Sequence, residues 1–513
     1  MVETIIFNVI LNLPNRLLLH LLKMRICNCY LLAVLIALVI GANSNLAAAT
    51  YIWNEHTDSL YNNIISLKIT SAKRAIASEE YTNLNNYLLD DYIGFLEVFL
   101  SEDEQVFDRF ELGQEKRFAA VKNGDGKSPW HLYVQAEMSL HFALASLKMK
   151  NYYDGFMGCR KAWKLYHANR ERFPQFKPNL KGIATLKAIM GIIPSQYQWG
   201  VSLLGLEGDL KGGMERLRQL SSTPFEFRLE TMLIYTSLLI HLEGKHDEAW
   251  QAIGRAGYPL AGNLFTYYTA ANAAIYSKHN ENALAMLANR PKGEAYAGFP
   301  FMEYLHGLAL INSLDTNCRA HFNKYLLQSR NQNNIKNAYQ KLAWSYLIVG
   351  DTAQYKKQIA LVKTKGISEL DADKQAQKEA DSGQMPDVPL LKARLLFDGG
   401  YFEKALAMIH NKTPANYTTK PLQLELVYRK GRIYDAMGKQ TEAITNYKET
   451  IKLGEREPLY FAANAALNLG FIYEKVHDKT QARYYYNLCI NLKDHEYYSG
   501  LSQKAKSGLG RLD

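Results

Sequence analysis

The sequence predicts an all-α chain built as a solenoid of stacked antiparallel helix pairs. Three observations carry this expectation. A register of Gly431, Tyr434, Ala443 and Tyr447 recurs at Gly470, Tyr473, Ala482 and Tyr486, each position 39 residues on. Turn glycines Gly208, Gly244, Gly350, Gly400 and Gly438 are followed five residues later by Gly213, Ala249, Tyr355, Ala405 and Ala443. Only 14 of 513 residues are Pro, so long helical runs go uninterrupted. One such match describes any amphipathic helix, whereas self-similarity at a fixed period marks a repeat array.

The residue types fit the packing that a pair of crossed helices requires. Gly431 and Gly470 fall on the first helix of each pair, where a small side chain lets the second helix approach. Ala443 and Ala482 serve the same contact from the second helix, and the tyrosines fill the space beside it. Gly438 ends its helix in the left-handed cap that glycine accepts. The frame steps upstream through Gly400 and Ala405, then Trp344, Tyr346, Gly350 and Tyr355, then Gly307, Cys318 and Phe322. It continues through Ala271, Ala283 and Leu287, then Gly244 and Ala249, then Gly208, Gly213 and Leu217, and begins at Lys150, Gly155 and Cys159. The pattern therefore predicts about nine helix pairs.

Leu469-Gly470-x-x-Tyr473 followed by Ala482-x-x-x-Tyr486 resembles the tetratricopeptide consensus L-G-x-x-Y…A-x-x-x-F. The resemblance implies a right-handed superhelical solenoid whose first helices line a concave groove. With the leader described below, it suggests an exported, bacterial member of that superfamily. Carrying the family's groove positions onto the better repeats points to Tyr268, Asn272 and Tyr276, to Asn337 and Gln340, and to Tyr428, Arg432 and Asp435. The family's basic clamp for a terminal carboxylate is not visible, because Tyr268 stands where a Lys would precede Asn272. A Gly/Pro-rich insert between Asn179 and Leu220, with Gly191-Ile-Ile-Pro194 and Gly205-Leu-Glu-Gly208-Asp209, is similar to a segment of a eukaryotic repeat family linked to mitochondrial outer membranes and inclusion clearance.

Five stretches follow from this reading. Residues 1–49 read as a secretory signal, with Met24-Arg25, the apolar run Leu31–Ile40 and cleavage near Ala49. Met24 reads as its start, and an uncleaved anchor is the competing reading. Residues 50–125 read as an N-terminal helical cap, and 126–365 as divergent repeats. Residues 366–388 read as a charged linker or an extra helix ending near Gly383. Residues 389–513 carry the C-terminal repeats.

The chemistry-bearing residues argue against an enzyme. Removing residues 1–49, with three bases and one acid, lowers the formal excess of +10 to +8, which is mild for this length. No run of like charges suggests a nucleic-acid partner. Cys159, Cys318 and Cys489 lack metal or disulfide spacing and read as small buried hydrophobes. Gly124-Asp-Gly-Lys-Ser128 ends like a phosphate loop, yet Val121 stands where that loop needs its first Gly. His131 and His141, His241 and His246, and His477 form no catalytic or metal motif. Asp90-Asp91 and Glu102-Asp103-Glu104 read as a solvated helix face or a first-turn dipole. No catalytic residue, cofactor or metal is called. The functional expectation is a non-enzymatic protein-protein interaction scaffold outside the cytoplasm, periplasmic or envelope-associated. Its partner would be a protein or peptide, and a membrane-associated partner fits as well. The alternative is an exported glycan- or cell-wall-binding repeat protein.

Overall fold

A computed structural model describes residues 50–79, 82–193, 202, 205–255, 260–493 and 495–512. The leader with its cleavage site, and Pro194 and Gly200 of the Gly/Pro insert, lie outside these residues. The described residues fold into 24 α-helices, and the only extended pairing among them is a single bridge between Thr50 and Asn83. No helix among them is long and apolar enough to cross a membrane.

Four helices come first: α1 (Glu55–Ile65), α2 (Ile69–Ala77), α3 (Asn85–Ser101) and α4 (Glu104–Lys122). Pairing begins with α5 (Pro129–Lys148) against α6 (Tyr152–Arg172), α7 (Pro178–Gly191) against α8 (Leu210–Ser221), and α9 (Arg228–Leu238) against α10 (His246–Arg255). Next come α11 (Leu264–Tyr276) with α12 (Asn280–Ala288), α13 (Phe301–Asn312) with α14 (Cys318–Gln328), and α15 (Ile335–Leu347) with α16 (Thr352–Thr364). A single helix, α17 (Asp371–Ser382), intervenes. Pairing resumes with α18 (Val388–Asp398) and α19 (Phe402–Ile409), α20 (Lys420–Ala436) and α21 (Gln440–Gly454), and α22 (Phe461–Lys475) and α23 (Lys479–Asn491). Helix α24 (Tyr498–Leu512) ends the array. The nine pairs fall where the residue spacing places them, and the architecture is an α-solenoid.

The turns explain how the frame survives where its glycines are lost. Eight pairs turn through a residue in the left-handed region: Gly244, Gly350, Gly400 and Gly438, but also Lys150, Lys278, Leu314 and His477. In the pairs at Gly350 and His477, the next residue is an aspartate that caps the second helix. Asp351 accepts from the Gln354 backbone N–H at 3.0 Å, and Asp478 from that of Gln481 at 3.0 Å. The crossing positions are sealed: Ala249, Ala283, Ala405, Ala443 and Ala482 are all buried. A Cβ added to Gly431 would lie 2.8 Å from the Tyr447 ring, so the tyrosine packs directly onto the glycine. Gly470 meets Tyr486 in the same way. Cys159, Cys318 and Cys489 are free and buried, and burial pushes each thiol up to about 12.

The first three helices pack along the inner face, the face made by the first helix of each pair. Trp53 stacks on Trp130 of α5, with ring centroids 4.8 Å apart. The Leu264 N–H donates to Ser66 O at 3.2 Å, and that of Ala297 to Leu67 O at 2.9 Å. Residues 50–102 thus touch the array from α5 to the start of α13. Helix α17 also folds onto this face. Its Asp373, Ala376 and Ala380 are buried, and it ends at Gly383 in the left-handed region.

Candidate functional site

The inner face falls into a filled half and an open half. In the filled half, Glu137 of α5, Lys181 of α7 and Glu230 of α9 meet at one buried point. The Lys181 ammonium donates to Glu137 Oε1 at 2.5 Å and to Glu230 Oε2 at 2.7 Å. Tyr61 of α1 donates to Glu230 Oε2 at 2.8 Å, and Tyr92 of α3 to the same oxygen at 3.0 Å. Tyr166 donates to Glu137. Burial penalises the Glu137 carboxylate, but Lys181 and His141 outweigh it and hold the group below its ordinary range. Burial likewise penalises the Lys181 ammonium, and the two glutamates outweigh it and raise its pKa. Glu137, His141 and Glu230 are grouped closely enough to hold a metal ion. The lysine already supplies the cation between the two carboxylates, so the cluster reads as a lock on the N-terminal helices.

One acid differs from its expected setting. Asp91 is fully buried rather than on a solvated face. It accepts from Gln114 at 2.5 Å and pairs with His141 Nδ1 at 2.7 Å, because α4 and α5 close over it. Its neighbour Asp90 pairs with Arg117 at 2.7 Å. Asp103 caps α4 through the backbone N–H groups of Gln105 and Val106.

The eight groove positions divide between these settings. Tyr268 is half-buried and packs on Phe299 at 5.0 Å. Asn272 is buried and bonded to His241 at 3.2 Å. Tyr276 is exposed, its ring edge-on to His241 and His246. Asn337 and Gln340 are covered by α17: the Asn337 N–H donates to Asp373 at 2.9 Å, and Gln340 Nε2 to Glu379 at 2.7 Å. Tyr428 is buried against Phe461 and accepts from Arg432 Nη1 at 3.0 Å. Asp435 turns to its own pair and accepts from Tyr447 at 3.2 Å.

The open half is a cavity of about 1000 Å³ that Gln340, Tyr428 and Arg432 help to line. Its walls come from the end of the π-turn after α9 (Leu242 and Glu243), from α17, α18, α20 and α22, and from α24 across the opening. Phe397, Tyr460, Phe461 and Tyr497 give it apolar and aromatic surface. Most of its acids are engaged. Glu425 pairs with Arg429, Glu496 with Lys378, Glu243 with Lys245 and Asp398 with Arg394. Glu379 accepts from Gln340, Trp344 and Tyr355. Asp371 lies 3.8 Å from Lys374. Beside the wall, Lys341 Nζ lies 3.6 Å from the centre of the Trp344 ring, and burial followed by Arg394 pushes its pKa down to about 7.

Sequence reasoning missed Arg394, Arg429, Tyr460 and Tyr497. Arg394 was within reach: it stands six residues before Gly400, as Arg432 stands six before Gly438. Tyr497 comes from the connection to α24, which no repeat period reaches.

No protein-family model matches the sequence, and no curated protein does. Among solved structures, the chain is similar to yeast Tom70 at 12% identity, over 83% of this chain and 96% of that one, with a TM-score of 0.24. A superposition that weak carries no argument about this chain, whose assignment as an α-solenoid of helix pairs rests on its own helices and turns.

Proposed function

We propose that the chain is a non-enzymatic interaction scaffold that captures a peptide segment of a partner protein in the open half of its inner face. The observation that carries this reading is the cavity of about 1000 Å³, which combines aromatic surface with guanidinium groups from successive first helices. Arginine and tyrosine in a concave, partly desolvated setting are the residues that dominate protein recognition energies. The filled half supports the reading from within the chain, because there the same face already holds helices α1–α3 and α17. We propose that this takes place outside the cytoplasm. The apolar run Leu31–Ile40 and Ala47-Ala48-Ala49 support export, and a mature chain beginning before Leu46 would count against it.

The experiment is selection of peptides from a random display library on the full chain, repeated on Gln503→Trp. Gln503 is exposed on α24 and lines the cavity, so an indole there obstructs the opening without entering the core. Peptides selected by the wild-type chain should lose binding to the variant. Equal capture by both would reject the cavity as the site. A glycan array run alongside tests the sugar-binding alternative.

A further inference from the structure

The open half is nearly balanced in charge. Six carboxylates and five basic side chains line the cavity, and most of them pair with one another. Charge therefore does not choose the occupant. What the paired ions leave is aromatic surface, and its rings are in order. Tyr428, Phe461, Tyr460 and Tyr497 form a continuous run, with successive centroids 5.3, 4.4 and 5.4 Å apart. Those steps are close to the spacing of about 5.4 Å between turns on one face of a helix. They fall short of the about 6.6 Å between alternate residues of a strand.

The wall also has little to offer an extended backbone, whose N–H and C=O groups need partners once they leave water. The inward amides of the repeat frame are already used. Asn272 bonds His241 at 3.2 Å. Asn337 accepts from the Tyr304 hydroxyl at 2.8 Å and donates to Ala372 O at 3.3 Å. Gln340 donates to Glu379 at 2.7 Å and accepts from Asn337 at 3.2 Å. Within the cavity, Gln375 bonds the Tyr497 hydroxyl and Asn464 accepts from Asn468 at 3.3 Å.

Elsewhere the inner face holds helices, α1–α3 and α17. Helix α17 shows the mode of seating: it buries Asp373, Ala376 and Ala380, three positions on one helical face. The cavity continues that seat. Gln340 of α15 holds Glu379 of α17 and lines the open space, and α17 itself forms one wall.

Resting on the reading of the cavity as a peptide site, we propose that its occupant is an amphipathic helix of the partner protein. That helix lays apolar side chains at i, i+3 or i+4, and i+7 against the aromatic run. Its backbone supplies its own hydrogen bonds and asks none of the wall. A helix with its side chains is about 10 Å across and rises about 1.5 Å per residue, so a volume of about 1000 Å³ takes about two and a half turns.

The test uses the full wild-type chain and a fluorescein-labelled peptide from the display selection that Gln503→Trp blocks. All changes are made in the peptide, so folding of the protein is not at stake. Alanine placed at each position in turn should weaken binding about ten-fold or more at i, i+3 or i+4, and i+7, and have little effect between them. Proline in the middle of the bound segment should weaken it about a hundred-fold or more. A hydrocarbon staple joining i and i+4 on the outward face should leave affinity equal or raise it, because the helix is then ordered before binding. Losses at alternate positions, a proline variant that binds as well as its parent, or a staple that abolishes binding would overturn the helix while leaving the cavity as a peptide site. Failure to select any peptide that Gln503→Trp blocks would overturn both.

Discussion

At the scale of single residues, the energetic centre of the N-terminal half is Lys181. It is buried with two glutamates and two tyrosine hydroxyls around it, and it joins α1 and α3 to the first three helix pairs. Lys181→Met should leave two buried carboxylates without their cation and cost about 3–5 kcal/mol. The pH dependence carries a definite sign. In the wild-type chain the Glu137 pKa lies below its ordinary value of 4.5, so its stabilisation is present above that pH and fades as the pH falls. In the variant, burial acts on Glu137 without its chief opposition and raises the folded pKa above the unfolded one. Protonation then favours the folded variant. Denaturant titrations at pH 7 and pH 4 should therefore show a smaller gap between variant and wild type at pH 4. An equal gap at both would mean that Lys181 does not hold the Glu137 charge. None of this cluster was legible in the sequence. Glu137, Lys181 and Glu230 stand far apart in the chain and share no motif, and only the stacking of three successive first helices brings them together.

At the scale of elements, the turns carry the account. Four of the eight left-handed turn positions are not glycine, and each such residue pays a backbone cost of about 1–2 kcal/mol. His477→Gly should raise stability by about 1 kcal/mol, and Lys150→Gly by somewhat less because it also removes the pair with Glu369, each read as a shift in the denaturant midpoint. Lys278→Gly would confound the comparison, since that side chain lies on Phe397. A fall in stability for both variants would show that the turns are not held in the left-handed form. This scale was also the most legible one. Gly431 with Ala443 and Gly470 with Ala482 gave the pair geometry, because a close helix crossing tolerates few residue types and the spacing is local. Residues 366–388 were harder to place. Their charge favours solvent, and the buried positions of α17, Asp373, Ala376 and Ala380, form a stripe too narrow and polar to announce itself. What docks the helix is hydrogen bonding to Asn337, Gln340 and Trp344, which periodicity does not register.

At the scale of the whole molecule, the solenoid folds parts of itself into its own inner face. The N-terminal helices cover the early pairs, α17 covers α15, and the space left beneath α18, α20 and α22 is closed at one side by α24. Groove positions copied onto every repeat therefore meet different fates: Asn337 lies under α17, Gln340 is held by α17 at the edge of the cavity, and Tyr428 and Arg432 border open space. A repeat frame indicates which residues face inward, but which of them stay uncovered depends on contacts between distant segments, such as Tyr61 with Glu230 and Lys378 with Glu496. The central claim is that this remaining space captures a peptide. It is tested most directly by titrating a labelled, library-selected peptide against the full wild-type chain and against Gln503→Trp, reading affinity by fluorescence anisotropy and folding by circular dichroism. The account calls for an affinity at least ten-fold weaker in a variant that remains as helical as wild type, and equal affinities would contradict it.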